Sequence, residues 1–340
     1  MIKIDGTYGE GGGQIIRTAI ALAAITGEEV EIENIRANRP NPGLSAQHLH
    51  AVKAVAKLSG GRTEGRELRS TGLKFSPGAL NGFEGEIDIG TAGSITLLLQ
   101  CLIPVALFAD SETKVKIKGG TDVKWSPPMD FYTEVFLKAI REMRCDVHLE
   151  VKKRGYYPKG DGLVEAKIAP SHQLKGIVLV ESERTGEREG VVKGISHSCG
   201  LPAHVAERQA KAAEGVLNAA GYDSELKTEI DENGKRTTGC GITLWKGYKS
   251  GSALGERGKR AERVGEEAAG NIIKELASAS TVDVYLADQL IPYIALADGK
   301  SEMKVREVTK HLETNVYVTK KFLDVEFEIE KKNGFFAIRR

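Results

Sequence analysis

Hydrophobic and polar residues follow two different periods along the last part of the chain, residues 281–340. Four stretches alternate apolar and polar residues, as strands with one buried face do: 281–285, 302–308, 325–331 and 335–340. Residues 287–297 and 311–323 instead place apolar side chains three and four positions apart, which is typical of amphipathic helices. The pattern predicts a βαβαββ unit.

The same order of elements fits two earlier parts of the chain, residues 1–78 and 87–168. The local match is close, because LIPVALFAD at 102–110 parallels LIPYIALAD at 290–298. Self-similarity at this scale indicates repeated structural units. Since the period belongs to none of the common solenoids, we expect a closed globular arrangement.

Residues from about 180 to 280 interrupt the repeats. They are predicted to form a strand, a helix, two strands joined by a hairpin-type turn at 232–235, and a long helix. The predicted fold class is therefore α+β, or mixed α/β. Residues 1–180 and 281–340 would form a large catalytic domain, and 181–280 a smaller inserted α/β domain. The three repeats would span about 1–80, 86–170 and 281–340.

The repeats also predict where a site would lie. If the units superpose, the loops between the second strand and the second helix coincide, at 35–43, 119–128 and 307–312. Each loop carries charged or polar residues. We therefore expect these loops to converge on a functional site.

Composition narrows the class of protein. The 340 residues suffice for roughly two domains, and 48 Lys and Arg against 47 Asp and Glu leave a net charge of +1. Any attraction to a polyanion must therefore come from local clusters. The four cysteines lack CxxC spacing, which argues against a zinc site and fits a reducing compartment, the cytoplasm. No apolar run reaches the ~20 residues that span a bilayer, and we expect no membrane partner.

His311 is the most informative single residue. Thr309 is a good N-cap candidate, so His311 would lie in the first turn of a helix, after the strand that contains Met303 and Val305. The positive end of the helix dipole favours neutral imidazole there, and the exposed amides can hold a phosphate. The position suits a nucleophile that attacks phosphorus, although a surface or capping histidine is the alternative from this segment alone.

A glycine-rich segment, GEGGGQ at 9–14, lies between a predicted strand and helix. Glycines there let backbone amides approach an anionic group. The segment has neither the ending of a P-loop nor the spacing of a dinucleotide fold. Glu10 would repel a bound phosphate unless a divalent cation lay between them, so it is either a metal ligand or a solvated turn residue.

Arg17, Arg36 and Arg39, with Gln47 and His48, form a candidate phosphate-binding group, because guanidinium forks match phosphate oxygens. Salt bridges on a helix surface are the alternative, and for Arg17 alone the more natural one.

The segment YLADQ at 285–289 combines an aromatic ring, a carboxylate and an amide, which suits stacking on a base and hydrogen bonding to a nucleoside. The prolines of SPP at 126–128 offer a flat surface opposite Tyr285. Gln100 lies on a predominantly apolar helix, so it is either a satisfied core amide or a ligand contact.

As a set, these segments resemble the RNA 3'-terminal phosphate cyclase family, specifically a catalytic member of the archaeal or bacterial type. The resemblance covers essentially the whole chain and rests on DGxxGEGGGQIxR (5–17), IRAxRxxPGL (35–44), AGSITLLLQ (92–100), GGTD (119–122), YYPKGDG (156–162), YLADQ (285–289) and HLxTN (311–315). It implies three βαβαββ units like the C-terminal domain of a bacterial translation initiation factor, plus one inserted domain.

The resemblance also implies a reaction. AMP passes from ATP to a histidine and then to an RNA 3'-phosphate, and the neighbouring 2'-hydroxyl displaces AMP to leave a 2',3'-cyclic phosphate. By this resemblance His311 is the nucleophile, and Glu10 helps to hold Mg²⁺ or Mn²⁺. The nucleotide would be held by Gln100, Pro128, Tyr285, Leu286, Ala287, Asp288 and Gln289. Phosphates of the nucleotide or of the RNA end would contact Arg17, Arg36, Arg39 and Gln47.

Three other functions compete with this one. A non-catalytic cyclase-like protein of ribosome biogenesis would bind RNA with the same fold, but would lack the histidine that HLETN at 311–315 supplies. A carboxyvinyl transferase would have two equal halves. A general nucleic-acid-binding module is disfavoured by the near-neutral net charge.

Overall fold

The structure, a computed structural model, describes residues 1–179, 190–231, 234 and 236–340. The first unit contains β1 (Ile2–Asp5), α1 (Gln14–Thr26), β2 (Val30–Glu33), α2 (Ala46–Leu58), β3 (Arg62–Glu64) and β4 (Leu73–Ser76). Its sheet has the order β1-β2-β4-β3. The first two strands are parallel and the other pairs are antiparallel.

The second unit repeats this topology. It contains β5 (Glu84–Asp88), α3 (Ile95–Leu107), β6 (Thr113–Gly119), α4 (Met129–Phe131), a π-helical turn (Tyr132–Phe136), α5 (Leu137–Glu142), β7 (Val147–Lys153) and β8 (Gly162–Ile168). The sheet order is β5-β6-β8-β7, again with one parallel pair at the start. The repeat inferred from the hydrophobic pattern thus corresponds to a repeated sheet topology.

Strand β9 (Val178–Leu179) precedes the segment that interrupts the repeats. That segment contains β10 (Val192–Cys199), α6 (His204–Ala219), β11 (Ser224–Asp231), β12 (Gly239–Lys246), β13 (Lys249–Leu254) and α7 (Ala261–Leu276). Its sheet has the order β11-β10-β12-β13. The predicted hairpin between β11 and β12 is therefore wrong, because these strands lie on opposite sides of β10. Residues 232, 233 and 235 of the predicted turn lie outside the described part of the chain. Strand β13 was missed.

The third unit continues with α8 (Val284–Leu296), β14 (Glu302–Val305), α9 (Lys310–Phe322), β15 (Glu328–Lys332) and β16 (Phe335–Arg339). Its sheet order, β15-β16-β14-β9, is that of the other units read from the opposite edge. Its first strand is β9, which pairs in parallel with β14. The interrupting segment thus lies inside the third unit, between its first strand and its first helix.

The strand predicted at 281–285 is wrong for a local reason. The Asp283 carboxylate accepts hydrogen bonds from the backbone N–H groups of Tyr285 (2.9 Å) and Leu286 (2.7 Å), so these residues begin α8 instead. Val282 forms an isolated bridge with Tyr248 and donates to the carbonyl of Lys304 (3.2 Å), but it belongs to no strand. The alternating pattern of this segment reflects a helix cap followed by a buried helix face.

Two hydrophobic clusters lie within the described residues. The larger one contains apolar residues from all three units, and α3 illustrates its density, because 11 of its residues from Ile95 to Leu107 are buried. The smaller one lies entirely between Val192 and Ile272. Four mixed sheets with helices confirm the predicted α+β class. The predicted boundary at 180/181 lies outside the described residues, and the domain limits stay a prediction.

Helix α1 is central to the packing that positions the site. It contacts α2, α3 and α9, and α9 also contacts α8. The starts of α1 and α9 are thereby brought together, although they are almost 300 residues apart in sequence. Within the described residues, no helix has the length and apolar character needed to cross a membrane.

Candidate active site at the start of helix α9

His311 is the second residue of α9, as the sequence predicts. The Thr309 hydroxyl accepts a hydrogen bond from the backbone N–H of Leu312 (3.1 Å) and caps the helix. The Gln14 side-chain amide donates to the backbone carbonyl of His311 (2.8 Å), which ties this turn to the start of α1. The His311 side chain is 47% exposed, so the ring is held at its base and accessible at its tip.

The glycine-rich segment fits closely between two helices. Gly9 and Gly11 have φ of +60° and +57°, a region that favours glycine. A Cβ at Gly9 would lie 2.6 Å from the Thr314 hydroxyl of α9, and one at Gly13 would lie 1.8 Å from His48 Nε2 of α2. Glycine is therefore required at these positions, either because φ is positive or because a neighbouring helix lies too close for a Cβ. As a result, Glu10 is held beside α9.

Glu10 lies close to side chains from two of the three loops that we expected to converge, the first and the third. Its Oε2 lies 3.8 Å from His311 Nδ1 and 3.3 Å from Arg39 Nη2. The loops at 35–43 and 307–312 therefore meet at Glu10. The loop at 119–128 packs on α3 instead, where the Thr96 hydroxyl donates to the carbonyl of Pro127 (2.8 Å). Within the part of the chain that the structure describes, polar contacts at Glu10 join two of the three loops.

The environment of His311 favours neutral imidazole. Partial burial lowers its pKa from the ordinary value of 6.5, and the charges of Arg17 and Arg39 act in the same direction, whereas Glu10 opposes them. A neutral imidazole has a lone pair for attack. With Nδ1 facing Glu10, Nε2 is the nitrogen that remains for this role.

Arg17 lies on the buried face of α1, and Gln100 on α3 is its partner. The Arg17 Nε donates to Gln100 Oε1 at 2.8 Å, which gives a partner to the oxygen of this amide on an apolar helix. Arg17 is 7% exposed and forms no ion pair with the described residues. Burial lowers its pKa from the ordinary value, but a guanidinium stays charged. A buried cation without a carboxylate partner suits an anionic ligand.

Arg36 and Gln47 are occupied by other contacts. Arg36 adopts φ +53° and donates from Nη1 to the carbonyl of Gly43 (2.9 Å) within its own loop. Gln47 Oε1 accepts from the backbone N–H of Ser94 (3.1 Å), at the cap of α3. His48 is buried, and burial, with Arg17 and Arg36, lowers its pKa to about 3. Their predicted roles in phosphate binding are not tested by these contacts.

The YLADQ segment lies in the first turns of α8, with its first residue exposed and the next four buried. Tyr285 is 61% exposed, whereas Leu286 and Ala287 are fully buried in the core, main chain included. Their predicted contact with a nucleotide stays a prediction. Asp288 and Gln289 are also buried, and Gln289 Oε1 has no hydrogen-bond partner among the described residues. Burial raises the pKa of Asp288, with Arg17 opposing.

Asn315 connects α8, α9 and α1. Its side-chain N–H donates to the carbonyl of Asp288 (2.7 Å), and its Oδ1 accepts from the Thr18 hydroxyl (2.8 Å). Asn315 is fully buried. Sequence reasoning assigned it no role, although a buried amide on an amphipathic helix, four residues after His311, was the available signal. These hydrogen bonds hold α9, which carries His311, against the part of α8 that contains the predicted nucleotide-binding residues.

Glu10 offers one carboxylate to a divalent metal. Mg²⁺ is usually held by one or two carboxylates and by substrate phosphates and waters, so a single glutamate beside a phosphate-binding segment fits this ion. Pro128 is the N-cap residue of α4 and is partly exposed. Its predicted contact with a nucleotide stays a prediction.

Comparison with known proteins supplies the decisive observation. The family model described as RNA 3'-terminal phosphate cyclase matches residues 8–329, which is nearly the whole chain. The chain belongs to the RNA 3'-terminal phosphate cyclase family. The resemblance seen in the motifs is thereby confirmed.

Curated relatives carry the same description. The RNA 3'-terminal phosphate cyclase of Archaeoglobus fulgidus is 50% identical, with 97% of this chain and 99% of the relative covered. That of Methanosarcina mazei is 48% identical, with 99% of each covered. That of Pyrococcus furiosus is 48% identical over 97% of this chain and 95% of the relative. These names support cyclase activity on RNA 3' ends.

Proposed function

We propose that this member of the cyclase family converts an RNA 3'-terminal phosphate to a 2',3'-cyclic phosphate with ATP, through AMP bound covalently to His311 and an RNA-3'-pp-5'-A intermediate. The single observation that carries the proposal is the placement of His311. It lies in the first turn of α9, 3.8 Å from Glu10, with a lowered pKa. The direct test is to incubate 3'-phosphorylated RNA with ATP and Mg²⁺ or Mn²⁺, and to detect the cyclic end by its resistance to phosphatase.

The bond changes follow from this placement. Nε2 of His311 attacks the α-phosphorus of ATP, so a P–N bond forms, the bond to the β-phosphate breaks and pyrophosphate leaves. An oxygen of the RNA 3'-phosphate then displaces the histidine to form a phosphoanhydride. The 2'-hydroxyl attacks the 3'-phosphorus, loses its proton, and AMP leaves. Proximity makes this closure favourable, because the hydroxyl is on the same ribose.

Two activations are needed because a phosphate monoester has only oxide as its leaving group. Joining it to AMP supplies a better one. Arg17 and Arg39, whose charges act on His311, would compensate the charge that develops on pyrophosphate and then on AMP, and a divalent ion at Glu10 would contribute in the same way.

Tyr285 is the proposed platform for the adenine base, and Gln100, Pro128, Asp288 and Gln289 are further proposed contacts of the nucleotide. We expect Tyr285→Leu to raise the apparent ATP constant by about 5- to 150-fold, since a base–aromatic stack is worth ~1–3 kcal/mol. Tyr285→Phe keeps the ring and should bind ATP nearly as the unmodified protein does. Measurement of adenylylation against ATP concentration checks both. An unchanged ATP dependence in Tyr285→Leu would place the base elsewhere.

Glu10 raises the pKa of His311, so its removal has a definite sign. We expect Glu10→Gln to lower the pKa of His311 further and to weaken the dependence of adenylylation on the divalent metal. An NMR titration of the imidazole measures the pKa. Glu313→Gln is the matched control, because it removes an exposed carboxylate from the same turn without touching the pair, and it should shift the pKa less. A higher pKa in Glu10→Gln contradicts the assignment.

The lowered pKa of His311 also predicts a pH profile. The imidazole stays neutral to a lower pH than the ordinary value of 6.5 allows, so the midpoint of the decline in adenylylation should lie below that pH. Rapid-quench measurement of AMP transfer against pH checks this. A decline centred above pH 6.5 would contradict a lowered pKa.

The alternative function is a cyclase-like RNA-binding protein without catalysis, and retention of His311 argues against it. Transfer of the α-phosphate label of ATP to the protein separates the two. We also propose a cytoplasmic location, since the four cysteines are buried and unpaired.

A further inference from the structure

A second group of ionisable side chains lies buried between the interrupting segment and the second unit. Asp122 follows β6, Asp130 lies in α4 and Arg154 follows β7, whereas His197 comes from the centre of β10. Asp122 and Asp130 are 2% and 3% exposed, and His197 is 1% exposed. We call these four residues the Arg154 cluster. Nothing in the proposed reaction uses them.

Hydrogen bonding in the Arg154 cluster is half complete. Arg154 donates from Nη1 to Asp122 Oδ2 (3.3 Å) and from Nη2 to Asp130 Oδ1 (2.8 Å), and the Thr121 hydroxyl donates to Asp122 Oδ2 (2.7 Å). The other carboxylate oxygens, Asp122 Oδ1 and Asp130 Oδ2, have no hydrogen-bond partner among the described residues, nor does His197 Nε2. Buried polar atoms in native proteins nearly always have partners, so three together need an explanation.

These three atoms face one another across a small gap. His197 Nε2 lies 3.6 Å from an oxygen of Asp122 and 3.8 Å from an oxygen of Asp130, too far for good hydrogen bonds. All three lie within 4.8 Å of one another. A point equidistant from them is about 2.1–2.4 Å from each, which is the range of distances between divalent cations and nitrogen or oxygen ligands.

The charges of the cluster also call for a cation. Arg154 is bonded to a third carboxylate, that of the half-exposed Glu229, at 2.9 Å and 2.7 Å. Three carboxylates thus face one guanidinium, and a divalent cation would cancel the two excess negative charges.

We propose that Asp122, Asp130 and His197 bind a divalent first-row transition-metal ion that fastens the interrupting segment to the second unit. Imidazole nitrogen and carboxylate oxygen are ligands that such ions accept. The surroundings provide the expected outer contacts, because Arg154 holds the remaining carboxylate oxygens and the Tyr156 hydroxyl lies 2.6 Å from His197 Nδ1. With the proton on Nδ1, the lone pair of Nε2 is directed at the gap.

The test counts metal in a chain that lacks the other candidate ligand. The full-length Glu10→Ala protein is equilibrated with Zn²⁺ or Mn²⁺ at micromolar free concentration, and bound metal is measured by elemental analysis. We expect one ion per chain. Adding Asp122→Asn should abolish this binding, whereas adding Asp146→Asn, which alters an exposed aspartate paired with His148, should leave one ion bound.

Thermal unfolding gives a second readout. Metal should raise the melting temperature of the Glu10→Ala protein and of its Asp146→Asn derivative, but not that of its Asp122→Asn or His197→Gln derivatives. If the last two variants do not fold, anomalous scattering from metal-soaked crystals of the unmodified protein decides, with a peak expected between the three atoms. Absence of bound metal in the Glu10→Ala protein, full binding in Asp122→Asn, or no peak at this position would overturn the proposal. None of these outcomes depends on the reaction at His311.

Discussion

His311→Asn is expected to abolish transfer of AMP to the protein and to reduce cyclisation of a 3'-phosphorylated RNA by at least about 10³-fold, as loss of a covalent nucleophile does. Asparagine has a similar size and cannot accept AMP on an imidazole nitrogen. The fold should tolerate it, because the His311 ring is about half exposed and the contact from Gln14 is to the backbone carbonyl. The measurement is incorporation of ATP labelled at its α-phosphate.

The chemical stability of the adduct is a second part of this prediction. AMP on a histidine nitrogen is a phosphoramidate, which should survive alkali and be released by acid. Mass mapping should place AMP on the peptide containing residues 310–320. AMP found on a lysine, or undiminished labelling of His311→Asn, would show that the nucleophile is another residue. Thr309→Ser keeps a capping hydroxyl and is the matched control, which should label normally.

The repeated architecture could be predicted because each unit must bury the same faces. The resemblance between 102–110 and 290–298 corresponds to α3 and α8, which occupy the same place in their units. The sequence could not predict that β9 is the first strand of the third unit. A strand of two residues carries almost no periodic signal, and its partner β14 lies beyond the whole interrupting segment. The alternating residues before α8 supplied a false strand in its place.

The pairing of β11 shows a second limit. Its alternation and that of β12 predicted two adjacent strands, and adjacency in sequence favoured a hairpin. In the structure β10 lies between them, parallel to β11 and antiparallel to β12. Periodicity determines which face of a strand is buried, but which neighbour it pairs with is decided by packing of α6 and α7 against the sheet.

For the candidate site, capping chemistry was the part that sequence could predict. Thr309 and the apolar spacing after it fixed His311 at a helix start. The approach of Glu10 to His311 could not be predicted, because it depends on packing of α1 against α9 and on the close approach to α9 that Gly9 permits. The Arg154 cluster was missed for the same reason, since its residues come from two parts of the chain that show no common motif.

The order of the chemical steps gives the second prediction with a large expected effect. If His311 only delivers AMP, His311→Asn should fail to cyclise a plain 3'-phosphate with ATP, yet should still cyclise RNA that already carries the 3'-adenylate. Closing the ring needs orientation of the 2'-hydroxyl and stabilisation of the departing AMP, and neither requires a nucleophilic histidine. Arg17 and Arg39 remain in place in this variant to compensate the developing charge.

An RNA whose terminal 2'-hydroxyl is replaced by hydrogen completes this experiment. With the unmodified protein and ATP it should accumulate the 3'-adenylate, because the attacking group is absent while the earlier steps are intact. Replacing Arg39 by Gln in the His311→Asn protein should slow closure of the pre-adenylated RNA, since AMP departs as an anion and Arg39 is held at the site by Glu10. If the deoxy end gives no adenylate while the ribose end is cyclised, the intermediate is wrong. If His311→Asn cyclises the plain phosphate, catalysis does not pass through this histidine.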